Sequence, residues 1–275
     1  MGRDVESCSL LNRLPLGLNR RGLLAQSYSR PADDRGRAYT RAVAGSTKRA
    51  EEEPDRSEHR WPAAVAVLVA IVLYATLPSS FTPALRYVVV GLCLAMVIPL
   101  LLLNPHHLRR ETPWSKLLNR SLIGVLLLAN LVALGQLVFL LVTDRSDGPG
   151  LLLAAVQVWV TNVIAFALVY WEMDRGGPIA RRNLERAEVE LADFRFPQDE
   201  DHDAINEVRG RSSEESDWMP SYIDYLYFSA SNSMAFSPTD AMPLTHRAKL
   251  LMLTESFSGF VILALVIARA VSLIG

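Results

Sequence analysis

The residues equipped for chemistry in this 275-residue chain gather near its carboxy-terminal end. Ser229, Asn232 and Ser233, then Ser237, Thr239 and Asp240, then Glu255 with Gly259 four residues on, stand in and between apolar stretches running from Tyr222 to Ile274. Hydroxyls and amides in such surroundings can line a polar path. A carboxyl there can bind a proton or a small cation, and a charged side chain inside a membrane span costs roughly 3 kcal/mol or more, so something must hold it. Glu255 has two readings: a proton or cation site facing a cavity, or an interfacial acid paired with Arg247 or Lys249. Asp240 either bonds the backbone amides of its turn, caps the last helix together with Thr245, or binds a cation at a pore mouth.

The frame for these residues is written in long apolar blocks. Half of the chain is apolar, and the blocks Trp61 to Leu77, Ala84 to Leu103, Ser121 to Thr143, Leu151 to Trp171 and Leu250 to Ile274 each have the length and composition of a membrane span, at about 1.5 Å of rise per residue against a hydrocarbon core of roughly 30 Å. The expected fold class is all-α: a polytopic transmembrane helix bundle with a short pore-helix-like segment before the last helix. Four regions follow: residues 1–60, a disordered cytoplasmic tail; 61–174, four transmembrane helices; 175–217, a cytoplasmic helix and an acidic loop; 218–275, the pore-like helix, its turn and the final span.

Charge sets the expected orientation. The net charge is −1, yet residues 1–60 hold twelve Arg and Lys against nine acids, and residues 172–220 hold fourteen acids against seven bases. Arg49, Arg56 and Arg60 precede the first span, Arg109, Arg110, Lys116 and Arg120 lie between the second and third, and Arg175, Arg181, Arg182 and Arg186 follow the fourth. Positive residues collect on the cytoplasmic side, which places the amino terminus, the 104–120 connection and the 172–220 segment there. The pattern Ile179 to Phe194 predicts a surface helix with Arg182, Arg186 and Glu190 among its ion-pairing residues, and the acidic run Gln198 to Asp217 reads as a loop.

Tyr222 to Phe236 is too short and polar for a lipid-facing crossing. Two solutions stand: a half-membrane helix shielded by the other spans, forming a hairpin, or a sixth span with its polar face in the bundle. Here the residues carry a resemblance. The aromatic DYLYFS half-helix, the SPTD turn, the Pro-Leu-Thr exit and the long last helix with Gly259 resemble the pore module of potassium-type channels. From about Trp159 onward, VYWEMDRGGP, FRFPQ, YIDYLYFSASNSMAFSPTDAMPLTHRAKLLM and IARAV resemble a family of uncharacterised bacterial integral-membrane proteins. The resemblance implies a multi-pass protein of the bacterial cytoplasmic membrane, an oligomer if it forms a pore, and small cations as partners besides the lipid bilayer. The filter departs from the channel pattern: Met234 to Pro238 has neither glycine of a potassium filter, and Pro238 forbids the same backbone path.

Other polar residues read as structural. Gln157, Thr161, Asn162, Asn130 and Gln136 are expected to join helices by hydrogen bonds, Glu172 and Asp174 to sit in an interfacial belt with Tyr170 and Trp171, and Arg269 to reach back to the membrane surface. His106 and His107 with Arg109 and Arg110 suit an anionic lipid contact. Cys8 and Cys93 make no disulfide framework. Nucleotide-loop, Rossmann, zinc-protease and cysteine-cluster patterns do not occur, so no enzyme activity, cofactor, metal site or nucleic-acid partner is expected. A membrane scaffold without transport activity is the alternative function.

Overall fold

The computed structural model describes residues 61–78, 81–103, 113–143, 148–200, 204–234 and 241–274. The expected disordered tail, the His106–Arg110 cluster, and Ser237, Thr239 and Asp240 lie outside the described residues. The chain is mostly helical. Its long elements are α1 (Trp61–Ala75), α2 (Pro83–Leu103), α3 (Pro113–Thr143), α4 (Gly148–Met173) and the last helix (His246–Ile274).

Three stretches are long and apolar enough to cross a membrane: Trp114–Thr143, Pro149–Gly176 and His246–Ser272. Five were expected; the other two blocks form α1 and the 21-residue α2, of which Trp61–Ala75 and Arg86–Leu100 are the apolar stretches among the described residues. At about 1.5 Å per residue the 15 residues of α1 rise only about 22 Å.

α4 is the centre of the bundle. Ala154, Ala155, Ala165 and Ala167 are buried along it, and such small residues let neighbouring backbones approach closely. It runs antiparallel to α3, as three bonds show: Asn119 Nδ2 donates to Glu172 at 2.7 Å, Asn130 Nδ2 to Asn162 at 2.7 Å, and Thr161 Oγ1 to Asn130 at 3.0 Å. Gln157 Nε2 donates to Thr76 Oγ1 at 3.0 Å, tying α4 to the end of α1. Thr82 N–H donates to Gln136 at 3.4 Å, joining the start of α2 to α3.

After α4 the chain reverses through three consecutive residues with positive φ: Arg175 at 53°, Gly176 at 78° and Gly177 at 98°. Glycine tolerates this region freely. Arg175 is held in it by an ion pair from Nη2 to Asp199 at 2.7 Å. A short helix, α5 (Pro178–Asn183), follows and then stops. The expected surface helix from Ile179 to Phe194 is therefore not formed beyond Asn183. Tertiary anchors outbid its periodicity: buried Arg181 donates to the Trp171 and Asp174 carbonyls at 2.8 and 3.1 Å, and the Asp174 carboxylate takes the backbone N–H of Asp193 and Phe194 at 2.7 and 3.2 Å. Leu191, an intended apolar position, is left 91% exposed. Arg186 pairs across space with Asp217 at 2.7 Å, so the local ion pairing expected around it does not occur.

These anchors draw out strand β1 (Phe194–Arg195), in which Phe194 and Phe196 point inward on either side of Arg195, the two-residue alternation of extended backbone. The described residues of the acidic run also carry regular structure, a 3₁₀ turn (Pro197–Asp199), α6 (Asn206–Arg209) and α7 (Ser213–Ser216), and Asp199 accepts from Phe196 N–H at 3.0 Å and Ser213 Oγ at 2.7 Å. Next comes α8 (Tyr222–Ser233), opened by Ser221, whose N–H and hydroxyl both donate to Asp224 at 2.7 and 2.8 Å. Strand β2 (Met242–Pro243) pairs antiparallel with β1, Phe194 opposite Pro243 and Arg195 opposite Met242. α9 (His246–Ile274) then runs back antiparallel to α4. The small ribbon qualifies the all-α expectation.

Candidate functional site

Both ends of the polar segment are anchored at the carboxy-terminal end of α4. Tyr225, in the first turn of α8, donates to Asp174 at 2.5 Å. At the start of α9, Thr245 Oγ1 donates to Asp193 at 2.5 Å, and Arg247 donates to the same carboxylate from Nε and Nη2 at 2.7 and 2.5 Å. Thr245 also accepts from Ala248 N–H at 3.3 Å and so caps α9. Asp174 and Asp193 are both fully buried. Asp174, expected in an interfacial belt, is the acceptor on which the reversal of the chain is built.

From that end α8 descends beside α9 for 12 residues, about 18 Å. It stops against Gly259, thirteen residues into α9. A Cβ on Gly259 would collide with the Ser233 carbonyl oxygen and stand 2.9 Å from its hydroxyl, so only glycine admits the tip of α8 here. Among the described residues, Tyr225 near the start of α8 and Thr245 and Arg247 at the start of α9 are thus held at the same end of α4.

Half-way down this descent lies Glu255, 0% exposed. The Tyr170 hydroxyl donates to its Oε2 at 2.7 Å and Asn232 Nδ2 donates to the same oxygen at 2.6 Å. Ser229 Oγ bonds Oε1 and also lies 2.8 Å from the Val163 carbonyl. The second hydrogen of Asn232 Nδ2 goes to the Met252 carbonyl at 3.1 Å, and Ser256 Oγ donates toward Asn232 O and Oδ1 at 2.9 and 3.1 Å. One carboxyl thus joins α4, α8 and α9. The reading of Glu255 as an interfacial acid paired with Arg247 or Lys249 is overturned, because Asp193 has taken Arg247 and Glu255 lies two turns deeper.

Two hydrogen inventories close this network. With an ionised carboxylate, Tyr170, Asn232 and Ser229 all donate to it. With a protonated carboxyl, Oε1–H donates to Ser229 Oγ and the Ser229 hydrogen turns to Val163 O, while Oε2 still accepts from Tyr170 and Asn232. A hydroxyl that both donates and accepts makes this exchange possible. The network thus accommodates either protonation state of Glu255 with the rotation of one hydroxyl.

Of the residues singled out in the sequence, Ser229, Asn232 and Glu255 converge, and Ser233 meets Gly259 one turn further on. Ser229 and Asn232 are directed into the bundle rather than toward a cavity of their own. Ser233 is 2% exposed, and its hydroxyl makes no hydrogen bond among the described residues. It borders an apolar hollow of about 250 Å³ between α4 and α9, with Trp159, Met234 and Ile262. Tyr170 and Ser256 were not foreseen as members of the site; the only sequence signal for Tyr170 is a hydroxyl one turn before Asp174. An aromatic cluster seals the upper side of the site, with the Phe194 ring 5.1 Å from Tyr170 and 5.0 Å from Phe228. Comparison of the chain with protein-family models, with curated proteins and with solved structures returned no match.

Proposed function

We propose that this chain is a multi-pass protein of a bacterial cytoplasmic membrane in which α4, α8 and α9 form a channel-like permeation module, assembled as a homo-oligomer and passing small cations. One observation supports the reading above all: a half-length helix that starts and returns at one end of two antiparallel long helices, the order of elements in the pore module that the 218–275 segment resembles. Backbone that ends at mid-depth in a bilayer must be enclosed by protein or by a water-filled space; α4 and α9 cover one face of α8, and a neighbouring subunit would cover the exposed face that carries Ile223 and Tyr227. The Arg-rich end, with Arg120, Arg175, Arg181, Arg182 and Arg186, belongs in the cytoplasm by the distribution of positive charge. The half-helix then descends from the cytoplasmic side, the opposite sense from potassium-type channels, and α9 ends outside.

A second reading, a membrane scaffold without transport, draws support from a different observation. The polar groups of Ser229 and Asn232 are consumed within the chain, and the hollow below Ser233 is apolar. Purified protein reconstituted in vesicles separates the two. The permeation reading expects potassium or sodium flux above that of protein-free vesicles, together with a symmetric assembly such as a tetramer in detergent. Background flux from a folded monomer would overturn it and leave the scaffold.

A further inference from the structure

A second polar site lies at the Arg-rich end, outside the network of Glu255. Arg120 of α3, Glu172 and Met173 of α4, Glu190 and Arg247 border a cavity of about 360 Å³ whose floor is formed by Gly124 and Val169. Its charges are incompletely matched among themselves. Arg120 spends only Nε, on Glu172 at 3.3 Å, and its side chain is 54% exposed. Arg247 spends Nε and Nη2 on Asp193, leaving Nη1 without a hydrogen bond among the described residues, and its side chain is 60% exposed. Glu190 is exposed and makes no hydrogen bond or ion pair within 4 Å among the described residues. The floor is open: nothing stands within 4 Å of where a Cβ on Gly124 would be, and Leu128, one turn further along α3, is an exposed apolar residue.

We propose that this cavity receives the phosphoethanolamine headgroup of a membrane lipid, its phosphate bonded by Arg120 and Arg247, its ammonium by Glu190, and an acyl chain lying along Gly124 and Leu128. The two guanidiniums supply the donors a phosphate requires. Glu190, exposed beside the two guanidiniums, offers a carboxylate to a cationic group on the same ligand, which suits a zwitterion. An ammonium with N–H donors can bond Glu190, whereas a trimethylated choline cannot. Paired basic groups beside an apolar groove at the end of a bundle are the general form of a headgroup site.

The inference rests on the reading that the helices lie in a bilayer, and flotation of the protein with vesicles tests that separately. For the site, wild-type protein and the variants Glu190→Gln and Arg120→Gln are reconstituted in equimolar phosphatidylethanolamine, phosphatidylcholine and phosphatidylglycerol, extracted in mild detergent, and their retained lipids counted by native mass spectrometry. Wild type is expected to retain phosphatidylethanolamine about fivefold over either competitor, the ratio that one exposed ion pair sustains. Glu190→Gln is expected to equalise phosphatidylethanolamine and phosphatidylcholine, and Arg120→Gln to lower retention of all three. Equal retention by wild type, or an unchanged preference in Glu190→Gln, would overturn the site even where the protein floats. Displacement of the lipid by millimolar soluble O-phosphoethanolamine would overturn the lipid as its source.

Discussion

Replacing Glu255 by Gln and, in parallel, by Ala tests the hydrogen accounting at the centre of the bundle. Gln reproduces the second inventory: its oxygen takes Tyr170 and Asn232, and its NH₂ donates to Ser229 Oγ, whose hydrogen goes to Val163 O at 2.8 Å. One N–H of the new amide is left without an acceptor in this network, so the expected loss is about 1 kcal/mol. Ala removes the acceptor. Ser229 keeps Val163 O and Asn232 keeps Met252 O, but the Tyr170 hydroxyl loses the carboxyl oxygen to which it donates. An orphaned buried donor costs about 1–3 kcal/mol, and the space left by four heavy atoms adds about 1–2 kcal/mol, for a total of roughly 3 kcal/mol. The assay is reversible unfolding in mixed micelles, followed by tryptophan fluorescence, at one pH for all three proteins. Equal losses for Gln and Ala would mean that the negative charge itself is required and would refute the neutral inventory. No loss for Ala would remove the Tyr170 contact.

Gly259→Ala places a methyl group against the Ser233 carbonyl; overpacking of about 1–3 kcal/mol exceeds the helix-propensity gain of at most about 1 kcal/mol. The variant should melt lower in the same assay, and an unchanged or raised midpoint would show that α8 does not seat there. Single cysteines at Leu191, Met242 and Ser272, in a background with Cys8→Ser and buried Cys93 left in place, test the turn-back. Leu191→Cys and Met242→Cys are expected to react with an impermeant maleimide from one face of the membrane and Ser272→Cys from the other. Met242→Cys reacting with the same face as Ser272→Cys would restore the sixth crossing.

The helices were legible because long apolar blocks permit little else, and the stoppers at their ends are local: Pro78 follows α1, and Gly176, Gly177 and Pro178 follow α4. The joining role of Asn130, Thr161 and Asn162 was legible for the same reason, since an amide between apolar residues must find a partner on a neighbouring helix. The site was legible only in part. Ser229, Asn232 and Glu255 stood out as polar residues in apolar surroundings, but sequence spacing offered Arg247 to Glu255, two turns away, and could not show that Asp193, 54 residues distant, would capture it. The stretch from Leu184 to Asp193 misled for a related reason: its periodicity suits a helix, while Asp174 and Arg181 hold its two ends in positions no helix can join. Length alone left hairpin and crossing open, because 15 polar-apolar residues fit either; the pairing of Phe194 with Pro243, which brings the start of α9 back beside the end of α4, was not legible in it.

The ribbon and the Asp193 clamp also divide α9 mechanically. Its first turn is fastened to the far end of α4 by two strands, a cap and a bidentate guanidinium, whereas beyond Gly259 the half-helix no longer runs beside it. The 29-residue rod, about 43 Å long, is therefore fixed by polar bonds over its first half, while past Gly259 it meets α4 through apolar side chains such as Ile262 and Val266.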